Sequence, residues 1–188
     1  MTKIYLLLWG FLISVSATGC FGHLIYPSDT YRGKVIDAET KEPLAGAVVL
    51  AIWYREAPGL GGHGPAVDYH DALEALTDAQ GEFTVPAKTL LTVIGKIREP
   101  KLVIYCPGYG FFPSLQAYPQ NDKEIRAAYE RRFLQVELIK LKTREERMKV
   151  IDYPVWISDV PDEKMPNLVR LVNKEVQMLG LQPTRLGR

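Results

Sequence analysis

Residues 46–54 read Gly-Ala-Val-Val-Leu-Ala-Ile-Trp-Tyr, and this stretch decides the fold. It is apolar at successive positions and rich in β-branched and aromatic side chains, which predicts a central β-strand buried on both faces. Shorter apolar or alternating runs, each bounded by turn residues, lie on either side of it. This pattern is typical of a mainly β protein with antiparallel pairing.

Further strands are predicted along the chain from the same kind of pattern. The first begins at Tyr31, and four more are expected at 73–77, 82–86, 101–106 and 133–141. Residues 88–97 are apolar but fit either type of element. Residues 57–68 are rich in Gly and Pro and carry no periodicity, so they predict a loop. Together these runs predict a β domain over residues 30–141.

The C-terminal part, residues 142–188, has a helical pattern instead. Thr143 with Glu146 three residues later forms a capping box, which predicts a helix start. A later helix is predicted with Asp162 as its N-cap, Pro166 in its first turn and Gly180 as its stop. Its buried stripe follows the i, i+3, i+4 spacing and consists of Met165, Leu168, Val169, Val172, Val176 and Leu179.

The first 20 residues have the three-part order of a secretory signal. Lys3 supplies a basic start, residues 4–15 form an uncharged apolar run, and small residues precede Cys20. This run of 12 residues is shorter than the roughly 20 that span a bilayer as a helix. Residues 17–20 resemble the lipobox of bacterial lipoproteins. The resemblance implies a signal peptide over 1–19, acylation (palmitate or a related chain) at Cys20, and a lipidated tether over 20–29.

An acylated Cys20 predicts a protein held on a membrane by lipid. One acyl chain binds a bilayer only marginally, whereas two or three give lasting anchorage. Phe21 stands after the cysteine, where the lipoprotein family uses Asp as an inner-membrane retention signal. The resemblance therefore implies a cell-envelope location at the outer membrane, facing the periplasm.

The composition excludes some partners and favours none. The chain has 23 Lys and Arg against 22 Asp and Glu, so there is no basic excess that would indicate nucleic-acid binding. If Cys20 carries lipid, Cys106 has no partner within the chain for a disulfide. Cys106 lies in an apolar run, which predicts a buried and unreactive thiol.

Four short motifs carry a family resemblance. They are Gly33-Lys-Val-Ile-Asp37, Lys41-Glu-Pro-Leu-Ala-Gly-Ala-Val48, Thr77-Asp-Ala-Gln-Gly-Glu-Phe83 and Pro107-Gly-Tyr109. In this order they resemble the carboxypeptidase regulatory-like domain, a small transthyretin-like (prealbumin-like) antiparallel β-sandwich. The resemblance implies that these residues determine the fold and do not form a catalytic site.

The sequence contains no zinc-carboxypeptidase motif, since none of its three histidines is followed three residues later by Glu. The remaining candidates are His63, Asp68, His70 and Asp71, within a predicted loop over 57–72. Imidazole and carboxylate groups bind divalent metals, but their spacing here matches no known metal frame. A solvated polar loop is the preferred interpretation, so no metal or other cofactor is predicted.

These observations predict a membrane-anchored, non-catalytic envelope lipoprotein that acts as a binding or structural module. Its expected partners are the membrane, through the lipid, and an envelope protein or glycan. One alternative is a metal-dependent or hydrolytic protein that uses the loop with His63, Asp68, His70 and Asp71. A second alternative is an accessory subunit of an outer-membrane transport machine. Fold alone does not choose between them.

Overall fold

The computed structural model describes residues 25–59, 64–114, 116–151, 157 and 159–182. Cys20 and His63 lie outside these residues. The strands are β1 Ile25–Ser28, β2 Tyr31–Asp37, β3 Val48–Ala57, β4 Ala66–Leu76, β5 Glu82–Val85, β6 Lys88–Leu91, β7 Lys96–Ile97, β8 Lys101–Tyr105, β9 Phe111–Phe112, β10 Ala117–Tyr118 and β11 Phe133–Leu138. The helices are α1 Asp122–Glu130, α2 Arg144–Ile151 and α3 Pro166–Met178, with a short 3₁₀ turn at Asp162–Lys164.

The strands form two larger sheets and one small one. The first sheet has the order β10-β11-β2-β5, and the second has the order β4-β3-β8-β9 with β7 also paired to β3. Strands β1 and β6 form a separate antiparallel pair. Among the described strands, pairing is antiparallel except between β2 and β11, which run parallel. The prediction of a mainly β protein with antiparallel sheets and a helical C-terminal part is confirmed.

Strand β3 is buried on both faces, as the sequence predicts. Val49, Ala51 and Trp53 point into a core that also takes side chains from β2, β5 and β11 of the first sheet. Trp53 is fully buried there. The two sheets therefore share one hydrophobic core, in which β3 contributes every second residue.

The other face of β3 packs against the C-terminal helices. Leu50 and Ile52 lie in a second core with Met165, Leu168 and Val172. Burial of an aliphatic side chain stabilises a fold by roughly 1.5–3 kcal/mol, so this stripe fixes α3 to the sheet. The predicted stripe is buried, although Val169 is only partly covered, and Leu171 is buried too.

Helix α3 is capped differently from the sequence prediction. Asp162 was expected as the N-cap, but it begins the 3₁₀ turn, and α3 starts at Pro166. The Glu74 carboxylate on β4 accepts hydrogen bonds from the backbone N–H groups of Asn167 and Leu168, at 2.8 and 2.7 Å. These are free donors of the first turn. A distant strand therefore supplies the cap.

The other predicted helix signals are confirmed. The Thr143 hydroxyl accepts from the Glu146 N–H, and the Glu146 carboxylate accepts from the Thr143 N–H, each at 3.1 Å, which is a complete capping box. Gly180 has φ of +74° and ends α3. The Leu181 N–H donates to the Val176 carbonyl and the Gly180 N–H to the Gln177 carbonyl, which together form a Schellman motif.

Two further sequence predictions need correction, and one helix was missed. Residues 20–29 were expected to be a tether, but Ile25–Ser28 is a strand paired with Lys88–Leu91. Residues 57–72 were expected to be a loop, but Ala66–Leu76 is strand β4 along its whole length. Pairing with the long strand β3 stabilises this extended conformation, although Asp68, His70 and Asp71 favour strands weakly. Helix α1 within the β domain was not predicted.

No helix among the described residues has the length and apolar character needed to cross a membrane.

Candidate functional site

Asp37, at the end of β2, connects the first family motif to the fourth. One carboxylate oxygen of Asp37 accepts from the backbone N–H groups of Glu39 and Thr40, at 2.7 and 2.9 Å. Its other carboxylate oxygen accepts from the Tyr109 hydroxyl at 3.0 Å. Asp37 is buried, and protein groups donate hydrogen bonds to both of its carboxylate oxygens. The Asp37 carboxylate therefore connects the loop at residues 39–40 to the turn at Tyr109, and its oxygens are not available to accept a proton from a substrate.

Thr77 connects the second motif to the third. Its hydroxyl donates to the Leu44 carbonyl at 2.6 Å and accepts from the Ala47 N–H at 2.9 Å. Gly81 has φ of +73°, and its carbonyl accepts a hydrogen bond from the Val35 N–H at 2.8 Å. A left-handed backbone of this kind favours glycine. The motif residues therefore tie the start of β3 to β2 and β5.

Protonation of Asp37 is expected to weaken the fold. Burial by itself would raise the pKa of Asp37, but the N–H groups of Thr40 and Glu39 and the Tyr109 hydroxyl outweigh it, and the pKa lies below its ordinary value. A lowered folded-state pKa gives stability that is present above the unfolded pKa of about 3.9 and lost as the pH falls through the folded pKa. Urea unfolding at several pH values below 5 measures this.

The matched variants for this experiment are Tyr109→Phe and Asp37→Asn. Tyr109→Phe removes one hydrogen bond to a charged group and should cost about 1.5–3 kcal/mol at neutral pH. Asp37→Asn should lose less stability than the wild type as the solution becomes acidic, because its side chain has no charge to neutralise. An unchanged acid dependence in Asp37→Asn would contradict the assignment.

Of the four metal candidates, the structure describes Asp68, His70 and Asp71, and it does not bring these three together as a metal site. Asp68, His70 and Asp71 all lie on β4, and His70 falls at the irregularity in its pairing with β3. The Asp68 carboxylate forms an ion pair with Arg55 at 3.1 Å. Within the described residues, no group of three His, Cys, Asp or Glu side chains is placed to hold a metal ion.

Asp71 has a structural position between two lysines. Its carboxylate contacts Lys88 at the start of β6 and Lys164 in the 3₁₀ turn, the latter at 2.9 Å. Burial would raise the pKa of Asp71, but the hydrogen bonds from Lys88 and Lys164 dominate and lower it. Asp71 therefore stays charged at neutral pH and connects β4 to two other elements.

Cys106 is a free thiol that is partly, not fully, buried. Burial first, and the negative charge of Glu175 second, raise the pKa of Cys106 to about 11. Since the thiolate is the nucleophilic form, this cysteine is mostly protonated and unreactive at neutral pH. The prediction of an unreactive thiol agrees with this environment.

A pocket of about 360 Å³ lies between the start of β8 and helix α1. Its lining residues are Glu99, Pro100, Lys101, Leu102, Phe112, Pro113, Ile125, Arg126 and Tyr129. The Tyr129 hydroxyl donates to the Pro100 carbonyl at 3.0 Å and accepts from the Leu102 N–H at 3.2 Å. Its polar end is thus already bonded to the pocket wall.

The pocket combines apolar side chains, among them Leu102, Phe112 and Ile125, with three charged ones, Glu99, Lys101 and Arg126. A mainly apolar lining with a few polar groups is typical of small-molecule pockets. The sequence prediction missed this pocket because α1 was not recognised. The available signal was Asn121, whose side chain accepts from the Glu124 N–H at 2.8 Å and so begins α1.

No family model matches the chain, and no curated protein matches it. Among solved structures, a 9R-lipoxygenase from Cyanothece PCC8801 is similar over 40% of this chain and 10% of its own length. The identity is 19% and the TM-score is 0.21. A likeness at this level carries no argument for the fold or the function.

Proposed function

We propose that the protein is a lipid-anchored, non-catalytic module of the cell envelope, acting through binding or structural contact. In this proposal its β domain is a transthyretin-like sandwich of the carboxypeptidase regulatory-like type. The two sheets that share one core support a sandwich. Hydrogen bonds between the motifs support the family resemblance: Tyr109 bonds to Asp37, Thr77 to Leu44, and Gly81 to Val35.

The proposal of a non-catalytic role depends on the contacts of the candidate carboxylates, which are all bonded to groups of the scaffold. Asp68 and Asp71 are each engaged by basic side chains, and Asp37 is fully hydrogen-bonded. An activated nucleophile or general base needs a partner positioned for proton transfer. These carboxylates instead join strands and loops of the scaffold. Membrane attachment through Cys20 then gives the module its place, at the outer membrane facing the periplasm.

Replacement of Cys20 by Ser is expected to abolish acylation and release the protein from membranes. The serine hydroxyl does not replace the sulfur as the acylated group, and without acyl chains the lasting anchorage is lost. Fractionation of cells, metabolic labelling with a palmitate analogue and the mass of the purified chain measure the three consequences. The control is Cys106→Ser, which should keep both the label and the membrane location. A Cys20→Ser chain that is still acylated and still sediments with membranes would refute the proposed anchor.

A further inference from the structure

Four aliphatic side chains form an exposed tip on the β1–β6 pair. Ile25, Leu91, Val93 and Ile94 are 59–72% exposed. Ile25 and Leu91 are directly paired across the two strands, so their side chains lie side by side. Val93 and Ile94 follow in the turn before β7. Single exposed aliphatic residues are common on protein surfaces, but four of them on one strand pair and the turn that follows it are typical of a contact surface.

On the β1–β6 strand pair, buried side chains alternate with the exposed ones of the tip. Tyr26 and Leu90 are paired with each other and pack on the main core. Thr92 is buried, and its hydroxyl donates to the Ile94 carbonyl at 2.9 Å, which holds the turn in shape. The aliphatic side chains at 91 and 93 thus project outward from a backbone that is tied to the domain.

The position of the tip along the chain indicates what covers it. Ile25 is five residues after Cys20, so its backbone lies at most roughly 18 Å from that of Cys20. A small folded domain is about 30 Å across, so a protein partner has little room between the tip and an acylated Cys20. Because so few residues separate an acylated Cys20 from Ile25, the partner closest to the tip is the lipid surface.

The basic side chains near the tip are paired with acidic side chains of the same domain. Lys88 contacts Asp71, and Lys96 and Arg98 contact Glu56 at 3.5 and 2.9 Å. The Lys96 side chain is 72% exposed, and lysine can keep its ammonium group among headgroups while its stem covers apolar surface. The aliphatic side chains and their short connection to Cys20, and not a net positive charge, therefore favour the lipid surface.

We propose that Ile25, Leu91, Val93 and Ile94 form a membrane-contacting tip that inserts among the lipid headgroups beside the acyl anchor. This inference rests on the proposed acylation of Cys20 and adds an orientation to it. The acyl chains hold the protein on the bilayer, and the tip fixes which end of the domain faces it. Insertion to a depth of about 5–10 Å is usual for apolar surface at the headgroup boundary.

The test places a fluorescent probe on the tip of the full chain. Val93→Cys is labelled with a polarity-sensitive NBD group in a Cys106→Ser background, and the acylated protein is reconstituted into phosphatidylethanolamine–phosphatidylglycerol vesicles. The matched control is Met178→Cys in the same background, since Met178 is 59% exposed on α3. We expect the emission at 93 to shift to the blue and to be quenched several-fold more than at 178 by lipids with nitroxide-labelled acyl chains.

Two further measurements separate the outcomes. The mass of the chain reports acylation of Cys20 independently of the probe, so an unacylated chain refutes the proposed function. An acylated chain with equal quenching at 93 and 178 refutes the tip alone. A blue shift without lipid quenching, growing with protein density in the vesicle, would identify a second copy as the partner and also refute it. With Leu91→Asp and Ile94→Asp added, the emission of the probe at 93 should shift back to the red and lose its quenching by the lipid nitroxides.

Discussion

Replacement of Gly33 by Ala is expected to disrupt the pairing of β2 with its neighbours in the first sheet, with a loss of roughly 3 kcal/mol, at the upper end of the usual cost of overpacking. A Cβ atom at Gly33 would lie 2.0 Å from the Leu134 carbonyl oxygen and 2.6 Å from the Phe83 ring. The carbonyl belongs to β11, the parallel neighbour of β2. A backbone atom cannot move aside without breaking this pairing. Urea unfolding followed by circular dichroism measures the loss.

Gly64→Ala is the control for this experiment. A Cβ atom at Gly64 meets nothing within 4 Å, so its effect should stay within about 0.5 kcal/mol. A second variant, Gly33→Ala with Phe83→Leu, asks whether the ring or the backbone carbonyl is responsible. We expect no recovery, because the Leu134 carbonyl is the closer atom. A Gly33→Ala protein as stable as the wild type would show that β2 and β11 do not approach this closely.

The second large effect is expected when Arg147 is replaced by Ala. Glu175 on α3 is only 2% exposed, and its carboxylate is paired with the Arg147 guanidinium on α2. Removing the arginine leaves a buried charge without a counterion, which typically costs about 3–5 kcal/mol. The loss should detach both helices from the sheet. Thermal unfolding and hydrogen exchange of α3 amides measure it.

The double variant Arg147→Met with Glu175→Leu provides the decisive comparison. Replacing both partners by apolar residues removes the unpaired charge, so most of the stability should return. Arg170→Ala on the exposed face of α3 is the control and should change stability by less than about 0.5 kcal/mol. If the double variant is no more stable than Arg147→Ala, the loss comes from packing and the charge argument is wrong.

Local signals explain most of what the sequence predicts correctly. Strand β3 needs only its own run of β-branched and aromatic residues, since both of its faces are buried. The capping box of Thr143 and Glu146 and the stop at Gly180 involve residues within one or two turns. The run that marks β3 and the two helix signals are each contained in a few neighbouring residues, so the local sequence is enough to predict these elements.

The features that sequence reasoning missed depend on distant partners. Residues 66–71, of which Asp68, His70 and Asp71 are polar, lie beside a Gly- and Pro-rich stretch and form a strand by pairing with β3. Glu74 caps α3 across a separation of 93 positions, and Arg147 pairs with Glu175 across 28. No local pattern marks these residues. For the same reason, Asp71 is a metal candidate in the sequence and an ion-pair partner of Lys88 and Lys164 in the fold.

The parallel pairing of β2 with β11 also has a consequence for the order in which the chain folds. Val35 pairs with Val136, which is 101 positions later. Contacts between such distant residues form late, because the entropy of closing the intervening loop opposes them until other elements have formed. Strand β2 therefore pairs with β11 only after nearly all of the β domain between them is present. Until β11 has formed, the edge of β2 that pairs with it carries backbone N–H and C=O groups without a strand partner, and such an edge is open to pairing with another chain.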